Sequence, residues 1–194
     1  MSDPAGIAVR ALRAEDAAQW RALRLEALRT CPTAFATSYE ELSLQDVEAF
    51  ASHIPPPGGP NVLFGAFRGE ALSGSAGFRV YTPLKQRHKG QLWGVYVDPS
   101  LRGRGAGAAL VRAVIERART HVAVLQLSVQ IDNAAARALY RQLGFVPYGI
   151  ERRALRHVGK DYDDELMAMD FLEHGRISCG EPLSTSPGNA PGPA

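Results

Sequence analysis

The segment RGRGAG, residues 102–107, joins two stretches of different hydrophobic pattern and decides the fold. The apolar run at residues 92–97 predicts a buried strand, and the Asp-Pro-Ser at residues 98–100 predicts a turn after it. The sequence AALV at residues 108–111 then begins an apolar-striped helix. Glycines at a strand-to-helix junction let a ligand reach backbone N–H groups at the positive end of the helix dipole. With two arginines in the same turn, the segment predicts a phosphate-binding loop.

Three classes of phosphate-binding loop compete for this segment. A Walker A loop ends in Gly-Lys followed by Ser or Thr, and the segment has no such ending. Residues 103–108 fit the dinucleotide-binding pattern G-x-G-x-x-A, and Asp132 lies near the end of the next predicted strand. Arg102, Gly105 and Gly107 fit R-x-x-G-x-G. This third pattern resembles the pyrophosphate loop of the GCN5-related N-acetyltransferases, the GNAT superfamily, which bind acetyl-coenzyme A.

A second segment favours the acetyltransferase pattern over the dinucleotide pattern. Residues 124–130 alternate between apolar and polar side chains and predict a strand. The sequence after it resembles the second GNAT signature, N-x-x-A-x-x-x-Y-x-x-x-G-F, through Asn133, Ala136, Tyr140, Gly144 and Phe145. Asn133 is a good helix N-cap, and Ala136 and Tyr140 share one helical face. A dinucleotide-binding fold gives no reason for this helix.

The resemblance implies an α/β (α+β) fold with a mixed, twisted, mostly antiparallel sheet that splays at the acetyl-coenzyme A site. Its six to seven strands would be flanked by about four helices, in the order β-α-α-β-β-β-α-β-α-β-β. The side-chain patterns predict strands at residues 7–12, 62–68, 72–81, 92–97, 124–130, 145–153 and 165–171. Before the first hairpin they predict helices at residues 15–29 and 44–54 and an irregular segment at 35–41.

Composition predicts one domain and a tail. Residues 1–173 form the expected acetyltransferase domain, and residues 174–194 hold four prolines and four glycines with few apolar side chains, which is typical of a disordered tail. The net charge of +2 gives no indication of a nucleic-acid partner, and no apolar run approaches the roughly 18 residues of a membrane span. Two cysteines make no disulfide framework. We expect a cytoplasmic protein without a metal; homodimer formation stays open.

The resemblance implies transfer of an acetyl group from acetyl-coenzyme A to a primary amine by direct attack in a ternary complex. It makes Tyr140 the general acid that protonates the leaving thiolate. It also implies that residues 102–108 hold the pyrophosphate and that the strand at residues 95–97 pairs with the pantetheine amides. The expected cofactor-binding residues are Val95, Tyr96, Val97, Arg102, Gly103, Arg104, Gly105, Ala106, Gly107, Ala108, Asn133, Ala136 and Tyr140.

The general base and the acceptor pocket are less well defined by the sequence. Some family members carry a glutamate on the strand before the loop, and residues 92–97 contain none. Glu41 is our candidate base, a water relay is an alternative, and further candidates are Glu40, His88, Asp163 and Asp164. The acceptor pocket is expected to include Tyr39, Glu40, His88, Trp93 and Tyr162. Such aromatic and acidic side chains suit a cationic amine.

Two other functions are compatible with the same segments. A non-catalytic acyl-coenzyme A binding module would keep the glycine-rich loop without transferring the acyl group, and the missing strand glutamate leaves this alternative open. A nicotinamide dinucleotide oxidoreductase would use the G-x-G-x-x-A pattern.

Overall fold

The computed structural model describes residues 6–172. Seven strands and five α-helices follow one another along this part of the chain. They are β1 (Ile7–Ala11), α1 (Ala17–Thr30), α2 (Tyr39–Ser43), α3 (Val47–His53), β2 (Val62–Arg68), β3 (Ala71–Val80), β4 (Lys89–Val97), α4 (Ala106–Arg119), β5 (Val124–Gln130), α5 (Ala134–Gln142), β6 (Val146–His157) and β7 (Lys160–Asp170). The predicted tail at residues 174–194 lies outside the described residues, so the division into domain and tail stays a prediction.

The strands form one sheet in the order β1-β2-β3-β4-β5-β7-β6. Only β4 and β5 pair in parallel, and every other neighbouring pair is antiparallel. The mixed, mostly antiparallel sheet predicted from the sequence is therefore confirmed. The dinucleotide alternative is wrong, because a dinucleotide-binding fold needs an open, mostly parallel sheet with its glycine-rich loop in a βαβαβ unit.

One helix was missing from the predicted order. The segment at residues 35–41 contains the start of α2, which a capping box nucleates. The Ser38 hydroxyl accepts a hydrogen bond from the Glu41 N–H at 3.2 Å, and the Glu41 carboxylate accepts one from the Ser38 N–H at 2.7 Å. This reciprocal pair satisfies two free backbone donors, so a helix of only five residues persists where periodicity is too short to detect.

The parallel pairing of β4 with β5 stops after three residues. It runs from Lys89 opposite Val124 to Gln91 opposite Gln126, and the two strands then separate. Against β3 on its other side, β4 carries an irregularity that places Gly94 and Val95 opposite a single residue. Gly94 has a φ of +63°, which glycine adopts without a steric penalty. A bulge of this kind bends a strand and increases its twist, so the gap between β4 and β5 opens at this point.

Two apolar layers cover opposite faces of the sheet. Helix α4 packs on one face through Leu110, Val111 and Val114, which are fully buried. Helices α1 and α3 pack on the other face through Trp20 and Phe50, whose rings meet edge to face at 5.2 Å. Residues of β2 alternate between these two layers, as the period of a strand requires. Both layers hold β4 in the middle of the sheet.

Helix α5 is fastened to the sheet by a buried carboxylate on β7. Glu165 accepts hydrogen bonds from Arg137 Nε and Nη2, each at 3.0 Å, and from Arg141 Nη2 at 2.8 Å. The two arginines are one helical turn apart, so both reach the same carboxylate. Arg137 also donates to the carbonyl of Ile131 at 2.9 Å. These bonds fix how α5 is oriented against the sheet.

The Glu165 ion pairs predict an acid-sensitive contribution to stability. The hydrogen bond from Arg137 holds the pKa of Glu165 below its ordinary value of 4.5. The ionised carboxylate therefore favours the folded state, fully so above pH 4.5, and this contribution is lost as the pH falls through the lowered pKa. Glu165→Gln should lower the melting temperature by several degrees at pH 7, and the difference from the parent protein should narrow below about pH 4.

Circular dichroism melts over that pH range measure this difference. Glu70→Gln, in the exposed turn between β2 and β3, removes a charge of the same type and should melt like the parent at every pH. A difference between Glu165→Gln and the parent that does not change with pH would contradict the ion-pair interpretation.

Candidate functional site

A cavity of about 590 Å³ lies where β4 and β5 separate. Residues 92–97 of β4 and 127–130 of β5 form its two sides, and the glycine-rich loop and α5 form its ends. Of the thirteen residues expected to bind the cofactor, all except Arg104 and Ala106 line this cavity. Arg104 is exposed in the loop, and Ala106, the first residue of α4, is buried in the core. The tertiary fold thus brings both predicted motifs to one place.

The glycine-rich loop presents uncapped backbone at the start of α4. Gly103 and Gly105 have φ values of +73° and +86°, a left-handed conformation that strains other residues. Gly105 is also the N-cap of α4, and having no side chain it cannot bond the free N–H groups of the first turn. These N–H groups and the helix dipole make a positive, accessible end for an anion.

Arg102 and Tyr96 support the loop from the side of β4. Arg102 Nε donates to the carbonyl of Val97 at 3.0 Å, and the guanidinium lies 5.7 Å from the centre of the Tyr96 ring. The Tyr96 ring is buried, and its hydroxyl lies 3.2 Å from Thr30 Oγ1 on α1. Tyr96 therefore joins α1 to β4, and Arg102 is held at the rim of the cavity by the end of the strand.

Helix α5 contributes Asn133 and Tyr140. The Asn133 side chain accepts a hydrogen bond from the Ala136 N–H at 3.1 Å and caps the helix. Tyr140 is buried, and its ring meets Phe145 edge to face at 5.9 Å. Burial raises the pKa of the Tyr140 hydroxyl far above its ordinary value of 10.0. A tyrosine hydroxyl is protonated at physiological pH even without this shift, so Tyr140 has a proton to donate.

Most of the residues expected to bind the acceptor lie elsewhere. Tyr39 and Glu40 line a separate groove of about 330 Å³, and Glu41 is an exposed cap of α2. His88 is exposed before β4, and Tyr162 lies on β7 beneath the Lys160 ammonium, 4.8 Å from the ring centre. Among these predicted residues, only Trp93 lines the cavity at the strand gap. The others belong to three separate parts of the chain, α2, the turn before β4, and β7, and none of them lines this cavity.

A second cavity of about 570 Å³ adjoins the first. The two share Ala34, Phe35, Leu92, Trp93, Gly94 and Ser128 as a common wall. The rest of the second cavity is built from the first three helices and the segments that follow them, including Arg24, Gln45 and His53. Strands β3 and β4 complete it through Phe78, Arg79 and Gln91. Sequence reasoning missed this surface. The signal was Arg24 itself, which stands one turn after the buried Trp20 on the apolar face of α1.

Asp163 and Asp164 occupy different positions although they are adjacent in sequence. The Asp163 carboxylate on β7 accepts a hydrogen bond from the Arg153 N–H at 2.8 Å, at the irregular part of β6. Asp164 pairs with Gln130, so it lies on the same sheet face as Ser128 of the shared wall. Burial raises the pKa of Asp164 above its ordinary value of 3.8, and the Ser128 hydroxyl opposes that rise.

Comparison with known proteins agrees with this geometry. Residues 20–145 match the family model described as acetyltransferase (GNAT) family. Over 65 residues, 34% of this chain and 40% of the relative, the sequence is 46% identical to N-alpha-acetyltransferase RimI of Mycobacterium tuberculosis. It is 34% identical to mycothiol acetyltransferase of Streptomyces scabiei over 147 residues, 75% of this chain and 44% of that relative. The chain thus spans less than half the length of these curated relatives.

The same fold is found in a solved structure. Salmonella typhimurium yncA, solved with its cofactor acetyl-CoA, has a TM-score of 0.69 and 19% identity, covering 90% of this chain and 99% of that one. Within residues 6–172, no helix is long and apolar enough to cross a membrane. The same residues contain no group of three or more His, Cys, Asp or Glu side chains that could hold a metal ion. The match over residues 20–145, together with the splayed sheet and its glycine-rich loop, shows that the chain belongs to the GNAT acetyltransferase family.

Proposed function

We propose that this protein is an N-acetyltransferase that transfers the acetyl group of acetyl-coenzyme A to a primary amine by direct attack in a ternary complex. One observation carries the proposal: a single cavity has an uncapped helix N-terminus at one end and a protonated tyrosine hydroxyl in its wall. Phosphate binding and protonation of a leaving thiolate are the two tasks that coenzyme A chemistry asks of a protein. The yncA protein, which shares this fold, was solved with acetyl-CoA as its cofactor, and this supports the choice of donor.

The chain's own residues would hold coenzyme A along the strand gap. Backbone N–H groups of residues 103–108 face the pyrophosphate, with Arg102 and Arg104 adding positive charge around the loop. Beyond Gln91, β4 has no ladder to β5, so the backbone at Val95 and Val97 is free to pair with the pantetheine amides as an added strand would. Asn133 and Ala136 close the opposite side.

Transfer forms a carbon–nitrogen bond and breaks the carbon–sulfur bond of the thioester. One proton leaves the amine, and another is delivered to the sulfur. The amine nitrogen attacks the thioester carbonyl carbon, and the carbon–sulfur bond breaks. Tyr140 donates its proton to the sulfur as it leaves, since a phenol carries its proton at neutral pH and the side chain lines the cavity. For the proton lost by the amine, the geometry favours Asp164 over Glu41, because Asp164 lies on the sheet face of Ser128 and burial raises its pKa.

The glycine-rich loop can be tested at Gly107 without straining the free protein. A Cβ at Gly107 would meet Leu139 at 3.5 Å and Val97 at 3.7 Å, both ordinary contacts, and both neighbours are near the cavity wall. Gly107→Ala should keep the melting temperature and weaken coenzyme A binding by at least about tenfold, because the new methyl occupies cavity space. Calorimetric titration with coenzyme A measures the change.

Gly149→Ala is the matched control, since its Cβ would meet only Leu166 at 3.7 Å and Gly149 lines none of the cavities described above. It should bind coenzyme A like the parent. Equal affinity of Gly107→Ala and the parent would contradict the assignment of the cavity to coenzyme A.

Tyr140→Phe separates transfer from binding. The ring keeps its packing against Phe145 and only the proton donor is lost. Turnover should fall by about 10²–10⁴-fold while the coenzyme dissociation constant changes little, and the loss should shrink at high pH, where the thiolate leaves without protonation. Thiol release at saturating acetyl-coenzyme A gives the rate. A variant as active as the parent would show that Tyr140 is not the general acid and serves only in packing.

A proton-accepting Asp164 predicts a particular pH profile. In the parent, kcat/KM should rise as the pH passes the raised pKa of this carboxyl and the carboxylate form accumulates. Asp164→Asn should remove that limb and slow turnover by about 10²-fold or more. Glu41→Gln, at the exposed cap of α2, should leave both rate and profile unchanged. If Glu41→Gln were the slower variant, the candidate base predicted from the sequence would be correct.

The same thiol-release assay decides between the transferase and the non-catalytic binding module, since a module would bind coenzyme A without releasing thiol for any amine.

The names of the two relatives point to different acceptors, N-alpha groups for one and mycothiol for the other. The acceptor of this chain therefore has to be inferred from the residues of its own second cavity. A cytoplasmic location and homodimer formation stay predictions from the sequence.

A further inference from the structure

The second cavity contains polar atoms that have no partner. Among residues 6–172, three buried side-chain nitrogen or oxygen atoms lack a hydrogen bond: Arg24 Nη1, Gln45 Oε1 and Trp93 Nε1. All three residues line this one cavity. Buried polar groups in folded proteins nearly always have a partner, and each one left without it costs stability. Two of the three atoms, Arg24 Nη1 and Trp93 Nε1, are donors, and their presence in one cavity indicates a ligand that supplies an acceptor.

Of these three residues, Arg24 is the one that carries a charge. Its guanidinium lies over the Phe35 ring, 4.1 Å from the centroid. Burial lowers its pKa to about 10, so the side chain still carries a positive charge at neutral pH. Among residues 6–172, none of those that line the cavity is Asp or Glu, and the two other lining groups that can be cationic are Arg79 and His53.

Both of those groups already have partners. Arg79 donates to Gln91 Oε1 through Nε at 2.9 Å and Nη2 at 2.6 Å, and His53 Nδ1 lies 2.6 Å from the Ala49 carbonyl. Arg79 and His53 are also exposed to solvent, whereas Arg24 is half-buried with an unbonded Nη1. A buried charge without a counter-ion is strongly unfavourable unless a ligand supplies one.

Trp93 provides a second, rigid donor. Its indole lies directly over Gly77, where any Cβ would come within 2.2 Å of Trp93 Cε2. The glycine on β3 therefore makes room for the ring, and the ring is fixed by backbone on one side. A planar donor held in this way suits recognition of a ligand oxygen. Arg24 and Trp93 together offer N–H groups to an acceptor-rich, negatively charged group.

We propose that the acceptor substrate is an amine that also carries an anionic group, a carboxylate or a phosphate, and that this group binds in the second cavity to Arg24 with the Trp93 indole N–H as a further donor. The proposal rests on the proposed N-acetyltransferase function and names the substrate class for that site. It replaces the expectation of a cationic acceptor, because the acidic residues behind that expectation, Glu40 and Glu41, lie outside the cavity.

The shared wall determines how such a substrate would lie. The cavities meet along Phe35, Leu92–Gly94 and Ser128, next to the strand gap where the thioester would be held. The amine nitrogen would stand at this wall, and the anionic group would extend toward Arg24 on α1. An amine with several positive charges would instead be repelled by the positive charge of the Arg24 guanidinium.

Matched amines test the anionic group directly. Thiol release is measured with L-phenylalanine against L-phenylalaninamide and phenethylamine, and with phosphoethanolamine against ethanolamine. For at least one series, kcat/KM should be about 10- to 100-fold higher for the anionic member, because hydrogen bonds to charged groups have this strength. The series that shows the preference tells whether the cavity takes a carboxylate or a phosphate.

Variants of Arg24 tell whether this residue is the origin of the preference. Arg24→Met should abolish it, mainly through KM, and Arg24→Lys should keep part of it because the charge is retained. Arg68→Met removes an arginine from the exposed end of β2, away from the cavities, and should behave like the parent. A preference that survives in Arg24→Met, or a parent enzyme that prefers the neutral amines, would overturn the proposal.

Melting temperatures provide a readout that does not depend on turnover. Without ligand, Arg24→Met should melt near the parent temperature, because the half-buried guanidinium has the Phe35 ring beside it but no carboxylate bonded to it. In the presence of coenzyme A, the anionic amines should raise the melting temperature of the parent and not of Arg24→Met. If Arg24→Met proves unstable, the proposal fails at this point unless Arg24→Lys shows the reduced preference.

The two readouts keep the two proposals separate. Neutral and anionic amines acetylated equally well would leave the transferase standing and overturn the anionic substrate. Stabilisation by anionic amines through Arg24, with no thiol release for any amine, would support the anion site and contradict the transferase. If the anionic amines gave no turnover and no stabilisation, the anion site would be overturned.

Discussion

The separation of β4 from β5 after only three paired residues is the constraint on which the rest of the site depends. A continuous ladder would satisfy the backbone of both strands and leave no room for a ligand between them. The bulge at Gly94 turns β4 away while its pairing with β3 continues, so the sheet stays intact on one side and opens on the other. The gap is therefore built into the middle of the sheet, where packing on both faces keeps it from closing.

What stands at the two ends of the gap is fixed by different forces. At one end, local backbone conformation suffices, since Gly103 and Gly105 adopt left-handed φ values and leave the first turn of α4 uncapped. At the other end, the position of Tyr140 depends on a long-range interaction. Glu165 on β7 binds Arg137 and Arg141 on α5, and the helix is thereby held against the sheet with Tyr140 facing the cavity. A remote ion pair thus supports the proposed proton donor.

The two cavities differ in their polar chemistry. The one at the strand gap lies between two strands that do not pair and includes the glycines of the loop, as suits an extended ligand that pairs with a strand. The second is lined by long side chains from the first three helices and contains a charge without a counter-ion. We therefore assign coenzyme A binding and the choice of acceptor to two separate cavities, which share Trp93 and Gly94 in their common wall.

The sequence by itself determined the strands, the glycine-rich loop, the Asn133–Tyr140 helix and the family, because these are local patterns in which spacing and residue type suffice. It missed α2, whose five residues are too few for periodicity and whose signal was a capping box. Only the tertiary structure decided the acceptor side. Glu40 and Glu41 are near in sequence to the second cavity yet point away from it, and Arg24 was hidden in the apolar stripe of α1. Whether a charged side chain is solvated or buried without a partner depends on what packs over it, and that is settled by elements distant in the chain.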